Sequence, residues 1–232
     1  MSTLSIGILV FPKVQQLDLT GPFEVFASVP ESEVRLVWKR IEPIVAVTGL
    51  TLKPDVTFDD SPQFDVLCIP GGPGVNLLME DEETLNFVRK QAAGARYITS
   101  ICTGSLVLGA AGLLEGRKAT THWASHDLLS RLGAEPVKAR VVRDGNLFTG
   151  GGVTAGIDMA LTGVAEMFGQ DVAEAVQLNL EYAPEPPFDA GQPETAPASV
   201  LETVRNRGQA SRAEREGIVE RIEAARAVHP VD

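Results

Sequence analysis

Cys102 has the sequence setting of an enzyme nucleophile. The apolar run Tyr97–Ile101 leads directly into it, and Thr103, Gly104 and a stretch rich in Ala, Leu and Gly follow. We predict a buried strand, a sharp turn at Cys102 for which Gly104 leaves room, and a helix that begins near Thr103. This is the pattern of a nucleophile elbow with Cys in place of Ser. A helix N-terminus stabilises a thiolate, so we expect a lowered thiol pKa. A buried structural cysteine is the alternative that the local sequence leaves open.

Two acidic residues near the first predicted strand are candidate partners of Cys102. Asp18 comes just after that strand, and Glu24, which is also a candidate pocket residue, follows six positions later. A carboxyl group beside a thiol can exchange a proton with it, as general acid–base catalysis requires. Asp18 would lie beside Cys102 if the first strand and the strand before Cys102 were neighbours in the sheet. Capping of a helix near Pro22 is an equally good interpretation of Asp18.

Glycine-rich loops can offer backbone N–H groups to a developing negative charge. Gly71 and Gly72 follow the apolar run Phe64–Ile69, and the N–H groups of Gly72 and Thr103 are our candidates for this role. A tight turn that needs positive φ would explain the same glycines. No Lys-Ser/Thr pair follows them, so the loop does not match a phosphate-binding P-loop.

The histidines and the second cysteine have simpler interpretations. His122 and His126 are four residues apart, but a zinc site needs more protein ligands and the only other histidine is His229. We therefore expect no metal, and we take His122 as a candidate pocket residue near Cys102. Cys68 lies inside a fully apolar run and is expected to be a core residue.

Composition favours a cytoplasmic globular enzyme. The 232 residues are 44% hydrophobic and 22% charged, which is ordinary for one large domain. Two cysteines are too few for a disulfide framework and fit a reducing compartment. The apolar start lacks a basic region, so we interpret it as a strand rather than a signal peptide. A net charge of −11 disfavours nucleic acid, and no apolar run approaches the roughly 20 residues that span a membrane.

Alternating strand-like and helix-like runs predict a flavodoxin-like α/β fold, with a mostly parallel sheet between helices. Function in such sheets lies at the carboxyl ends of the strands, which selects the loops after residues 11, 69 and 101. We assign residues 1–198 to the α/β domain and residues 199–232 to a helical extension of it, either a solvated face or a dimer element. The predicted helices include 17–28, 82–93, 103–114, 124–132, 154–168 and 172–180, with hairpins at 44–53 and 140–149.

Four motifs resemble the class I glutamine-amidotransferase-like superfamily, which includes the parkinsonism-associated protein and the intracellular-protease-like proteins. They are Gln16–Pro22, Ile69–Gly74, Ile101–Ser105 and Ala119–Trp123. The isonitrile hydratase branch is the most similar, and the segment Leu180–Gly191 also resembles that branch. The resemblance covers roughly residues 4–200.

The resemblance implies a homodimer without metal or organic cofactor. It places the nucleophile on Cys102 and the acid on Asp18, where much of the superfamily has glutamate. Thr103 stands where protease-like relatives often have histidine, so peptidase chemistry is not expected. The implied reaction is hydration of a small-molecule isonitrile to an N-substituted formamide, through a thioimidate on Cys102.

Three other functions stay open at this point. The first is a glyoxalase, deglycase or chaperone-like stress protein of the same superfamily. The second is a ligand-sensing domain related to AraC-type regulators, which share these motifs but continue into a helix-turn-helix region. Residues 199–232 are too short and too balanced in charge to read a DNA groove. The third is a redox sensor in which Cys102 is oxidised.

Overall fold

The computed structural model describes residues 3–228 and has the predicted α/β architecture. The strands are β1 (Leu4–Leu9), β2 (Ser32–Trp38), β3 (Ile44–Val45), β4 (Thr51–Leu52), β5 (Val56–Thr57), β6 (Val66–Ile69), β7 (Tyr97–Ile101), β8 (Lys118–Ala119), β9 (Glu135–Pro136), β10 (Val141–Asp144) and β11 (Leu147–Gly150). The helices are α1 (Gln16–Ala27), α2 (Val75–Leu78), α3 (Glu82–Gly94), α4 (Gly104–Ala110), α5 (Leu128–Arg131), α6 (Ala155–Phe168), α7 (Gln170–Asn179) and α8 (Ala198–Val228).

Within the described residues, seven strands form the main sheet, in the order β10-β11-β7-β6-β1-β2-β5. All neighbouring strands are parallel except the edge pair β10–β11. The order reverses at β1 and β6, so right-handed crossovers place the connecting helices on opposite faces. Helices α1, α6 and α7 pack together, and α4 packs with α2, α3 and α5. The reversal point is where open α/β sheets form their ligand sites.

The central strands explain the stability of this arrangement. β6 is buried along its whole length, and β1 and β7 are buried at all but one position each. Continuous apolar runs are expected for parallel strands covered on both faces. The three strands therefore provide a rigid base, and their carboxyl ends carry the loops that begin at Val10, Pro70 and Cys102.

Two predicted helices differ from the observed ones. The helix predicted at 103–114 ends at Ala110, because Gly112 takes a φ of +80° and the Leu113 N–H bonds back to the Leu108 carbonyl, a helix stop of the Schellman type. The helix predicted at 124–132 is a 3-10 turn (Trp123–Ser125) followed by the short α5. Both predicted hairpins are confirmed as antiparallel pairs, β3–β4 and β10–β11.

Helix α8 extends back over the edge of the sheet that carries these loops. It contacts α2, α5 and the 3-10 turn, and four ion pairs among the described residues attach it to other parts of the chain. They join Arg212 to Asp127, Arg131 to both Glu216 and Glu223, and Arg221 to Glu80. Residues 229–232 of the predicted extension, with His229, lie outside the described residues. Among residues 3–228, the structure contains no helix long and apolar enough to cross a membrane.

Candidate active site

Cys102 occupies a strained turn directly after β7. Its φ is +52°, a value that non-glycine residues rarely adopt. Its N–H donates to the Gly150 carbonyl at 3.0 Å, and its own carbonyl accepts from Thr121 Oγ1 at 2.7 Å and Ser105 Oγ at 3.3 Å. These bonds hold a backbone conformation of the kind found at reactive residues. The predicted turn is therefore confirmed.

Gly104 allows α4 to start close to the end of β6. A Cβ atom at this position would lie 2.0 Å from the Ile69 carbonyl oxygen, which is shorter than any real contact. The first turn of α4 can therefore approach the loop after β6 only with glycine here. The sequence interpretation of Gly104 as the residue that makes room is confirmed.

Asp18 reaches Cys102 by a route that the sequence did not suggest. We expected the two residues to meet if β1 and β7 were neighbours, but β6 lies between them. The loop after β6 leaves a gap at Gly71, where a Cβ atom would lie 2.8 Å from Asp18 Oδ2. The Gly71 N–H donates to that oxygen at 2.9 Å. The Asp18 carboxyl thus crosses the end of β6 over a residue without a side chain.

The pKa of the Cys102 thiol is shifted in the direction opposite to the one we predicted. Burial and then the nearby charge of Asp18 raise the pKa of the Cys102 thiol well above its ordinary value. The Thr103 N–H and hydroxyl at the start of α4 lower this pKa, as predicted for a helix N-terminus, but they do not outweigh the other two causes. The predicted net lowering is therefore wrong, because desolvation and a like charge from α1 were not visible in the local sequence.

Burial also raises the pKa of Asp18, to about 7, although the hydrogen bonds from the Gly71 N–H and the Cys102 thiol lower it in part. Two adjacent buried groups cannot both ionise easily, so Cys102 and Asp18 titrate as a pair that releases one proton near neutral pH and keeps the other. Asp18 Oδ1 is buried and has no well-aligned hydrogen bond to any described residue. The pair can therefore transfer the thiol proton to the carboxyl and form a thiolate.

Gly72 and Thr103 are hydrogen-bonded to each other. The Gly72 N–H donates to Thr103 Oγ1 at 3.0 Å, so it is occupied. Gly72 takes a φ of +131°, which supports the tight-turn interpretation of this glycine. Its predicted role in holding charge would require that this bond break. The Thr103 N–H lies against the Cys102 sulfur, where it favours the thiolate.

Cys102 is 6% exposed, and that exposure opens into a cavity of about 740 Å³. Part of the wall is apolar, from Pro73, Trp123, Val153 and Val204. The polar part includes His122 and a stretch of α8 from Val204 to Arg215. The cavity thus has an apolar side, which can hold an organic group, and a polar side, which can orient it. The sequence identified α8 only as a solvated face or dimer element, and its place in this wall was missed.

His122 lies in the cavity wall with Cys102, as expected for a pocket residue. Burial and the charge of Arg215 lower its pKa, and its Nδ1 accepts the Ala124 N–H at 3.3 Å. The imidazole is therefore neutral near pH 7. His126 does not share a helix face with it, because the 3-10 turn comes between them. In the part of the chain that the structure describes, no group of three or more His, Cys, Asp or Glu residues is placed to hold a metal.

Glu24 is not part of this site, and its candidacy as an alternative acid is wrong. Six residues after Asp18, it lies about 240° further round α1 and on a different face. It is exposed and lines a separate cavity of about 360 Å³ with Leu17, Ile157 and Tyr182. Cys68 is fully buried in the core as expected, and burial raises its pKa to about 12.

We expect Gly71→Ala to separate Asp18 from Cys102. The added Cβ would lie 2.6 Å from the Thr103 nitrogen as well as 2.8 Å from Asp18 Oδ2, so one of these groups must move. Overpacking of this kind costs about 1–3 kcal/mol in unfolding free energy, which urea denaturation measures. Gly152→Ala is the matched control, because no atom lies within 4 Å of its Cβ position and stability should be unchanged. Equal stability of both variants would contradict the close approach.

Flavodoxin-like proteins with a cysteine at a strand-to-helix elbow are the class to which this fold and site correspond. The model of the DJ-1/PfpI family matches residues 4–166, and the chain belongs to this family.

Three relatives show how far the similarity extends. The chain is 64% identical over 221 residues to an isonitrile hydratase of Pseudomonas putida, covering 95% of this chain and 97% of the relative. A crystal structure of a THiJ/PfpI family protein from Pseudomonas syringae superposes with a TM-score of 0.91 at 43% identity, covering 94% of this chain and 91% of that one. The HTH-type transcriptional regulator GbdR of Pseudomonas aeruginosa is 33% identical over 188 residues, which are 77% of this chain and 50% of the regulator.

Proposed function

We propose that this protein is an isonitrile hydratase, which adds water to an isonitrile and releases an N-substituted formamide. The observation that carries the proposal is the buried Cys102–Asp18 pair at the wall of a cavity. The 64% identity to an isonitrile hydratase over almost the whole chain supports the same reaction. The apolar part of the cavity, which includes Trp123 and Val153, suits an uncharged organic side group on the isonitrile.

The first half of the reaction uses the shared proton. The thiol proton of Cys102 moves to Asp18, and the thiolate then attacks the terminal carbon of the isonitrile. Asp18 returns the proton to that same carbon, which gives a neutral thioimidate with a new C–S bond. This is nucleophilic catalysis with an acid–base partner in contact with the nucleophile. The negative charge passes from the sulfur to the Asp18 carboxylate, so the net charge of the site is the same before and after the step.

The second half hydrolyses the thioimidate. Asp18, now a carboxylate with a free oxygen, accepts a proton from water as the water oxygen attacks the same carbon. The substrate nitrogen takes up that proton, and the C–S bond breaks as the carbonyl forms. The hydroxyl proton returns to the Cys102–Asp18 pair. One isonitrile and one water are consumed for each formamide.

Purified protein with cyclohexyl isocyanide tests this function directly. We expect N-cyclohexylformamide to accumulate, as followed by its amide absorbance and by mass spectrometry. A parallel assay with methylglyoxal tests the glyoxalase and deglycase alternative. Consumption of methylglyoxal without formation of formamide would contradict the proposal.

The regulator-type and redox-sensor alternatives are less well supported. The chain matches only half of the length of GbdR, and a gel shift with DNA tests any groove-reading activity. No observation favours a redox sensor over the hydratase, and mass spectrometry of Cys102 after mild peroxide treatment tests it.

We also propose a homodimer located in the cytoplasm. The exposed apolar side chains Leu178 and Phe188, which are 80% and 79% exposed, support a surface covered by a second copy. Both cysteines are free, which suits a reducing compartment. Light scattering of the purified protein tests the dimer.

A further inference from the structure

Arg215 is a buried guanidinium that the reaction outlined above does not use. It projects from α8, is 7% exposed and lines the same cavity as Cys102. Its hydrogen bonds go to neutral oxygens: Nε to Asn76 Oδ1 at 3.0 Å, Nη1 to Ser125 Oγ at 2.9 Å and Nη2 to Ser211 Oγ at 3.4 Å. No carboxylate of the described residues forms an ion pair with it within 4.0 Å. Buried charges are ordinarily paired, so the countercharge must come from elsewhere.

The negative charge that acts most strongly on Arg215 is that of the Cys102–Asp18 pair. Burial lowers the pKa of Arg215, and the charge of Cys102 is the largest influence in the opposite direction, ahead of Glu214. Glu214 is exposed and accepts a hydrogen bond from Asn76 Nδ2 at 2.7 Å. Its charge is therefore screened by water, whereas Cys102 and Arg215 are both buried and line the same cavity.

The other charged groups around the pair do not supply this positive charge. His122 is neutral near pH 7, because burial and Arg215 itself lower its pKa. Arg212 forms ion pairs with Asp127 at 2.5 Å and with Glu216 at 3.8 Å. Asp18, on α1, is negative or neutral. Arg205 and Arg207 also line the cavity, but both are exposed, so water screens their charges. Arg215 is therefore the buried cation of the described chain that remains to balance the pair.

We propose that Arg215 is a positioning residue of the active site whose fixed charge balances the negative charge shared by Cys102 and Asp18. This inference rests on the proposed roles of those two residues. The charge makes the singly protonated pair accessible at neutral pH inside a buried site, where it would otherwise take up a second proton. An opposite charge within about 4–6 Å shifts a titration by 1–3 pH units, and partial solvent exposure of the cavity reduces this.

The test is the pH dependence of Cys102 alkylation by iodoacetamide, a neutral reagent, read from the mass of the Cys102 peptide. For Arg215→Gln we expect the midpoint to rise by about one unit and the rate at pH 7 to fall about tenfold. Arg215→Lys keeps the charge and should stay within about threefold of wild type. Ser125→Ala removes a hydrogen bond of Arg215 and leaves its charge, so it should also keep the wild-type midpoint.

Two results would overturn the proposal. One is an Arg215→Gln profile equal to that of wild type. The other is an equal shift in Ser125→Ala or Arg215→Lys, which would mean that Arg215 only cross-links α8 to its neighbours. If Arg215→Gln does not fold, as judged by circular dichroism, Arg215→Met, which also removes the charge but keeps a long side chain in the buried position, is measured in its place with the same expected shift. Alkylation needs no isonitrile, so failure of the proposed function would appear separately, as absence of formamide from wild type.

Discussion

Replacement of Cys102 by Ala is expected to lower formamide production from cyclohexyl isocyanide by about 1,000-fold or more, while the protein stays folded. The variant lacks the only sulfur that faces the cavity in the described structure, and without it no thioimidate can form. Loss of a covalent nucleophile commonly has effects of this size or larger. The backbone should tolerate Ala, since the three hydrogen bonds that hold the turn use main-chain atoms of residue 102.

Cys68→Ala is the matched control for this experiment. Cys68 is the same residue type, lies on the neighbouring strand β6 and is sealed in the core. Its replacement should cost about 1–2 kcal/mol of stability as a small cavity forms, with kcat near that of wild type. Both variants need the same assay and a thermal melt. Near-normal turnover by Cys102→Ala would remove the covalent mechanism altogether.

Asp18→Asn is expected to lower activity and raise stability at the same time. Asn cannot carry the proton between sulfur, substrate carbon and water, and loss of such general acid–base help costs on the order of 100- to 10,000-fold in rate. The pKa of Asp18 is about 7 in the folded protein, against 3.8 for an ordinary aspartate such as that of the unfolded chain, so its ionised form opposes folding. Its favourable contribution is complete below about pH 3.8 and is lost as the pH rises through 7.

The stability difference therefore has a definite pH dependence. At pH 8 we expect Asp18→Asn to unfold with a free energy about 2–4 kcal/mol above that of wild type, and the advantage should disappear toward pH 4. Urea denaturation at several pH values measures it. Glu24→Gln, a charge loss on an exposed face of the same helix, serves as control and should leave both rate and stability unchanged. A destabilised Asp18→Asn at pH 8, or full activity, would contradict the buried acid.

The features that the sequence predicted well are local ones. The elbow at Cys102 follows from a buried strand, a small residue and a helix in immediate succession, and the structure confirms it with a φ of +52°. The core role of Cys68 follows from its apolar neighbours. The alternation of strands and helices was enough to predict the parallel sheet, because each crossover is short and has a preferred hand.

The features that were missed depend on parts of the chain far apart in sequence. The direction of the Cys102 pKa depends on burial and on Asp18, 84 positions earlier. The Asp18 side chain reaches Cys102 by passing Gly71 at the end of β6, and this contact can be predicted only when the strand order is known. Arg215 lies in a mixed-charge helix where nothing distinguishes it from the exposed arginines nearby. Only its burial against Asn76 and Ser125 identifies it.

Helix α8 gives the site two parts with different origins in the chain. The reactive turn follows a strand of the central sheet. One wall of the cavity comes instead from residues 204–215, which follow the irregular segment 181–197. Substitutions on that helix between residues 204 and 211 can reshape what is admitted without touching the atoms that react, whereas a substitution of Arg215 would change the reactive pair itself. Selectivity and reactivity are thus adjustable at different positions of one helix.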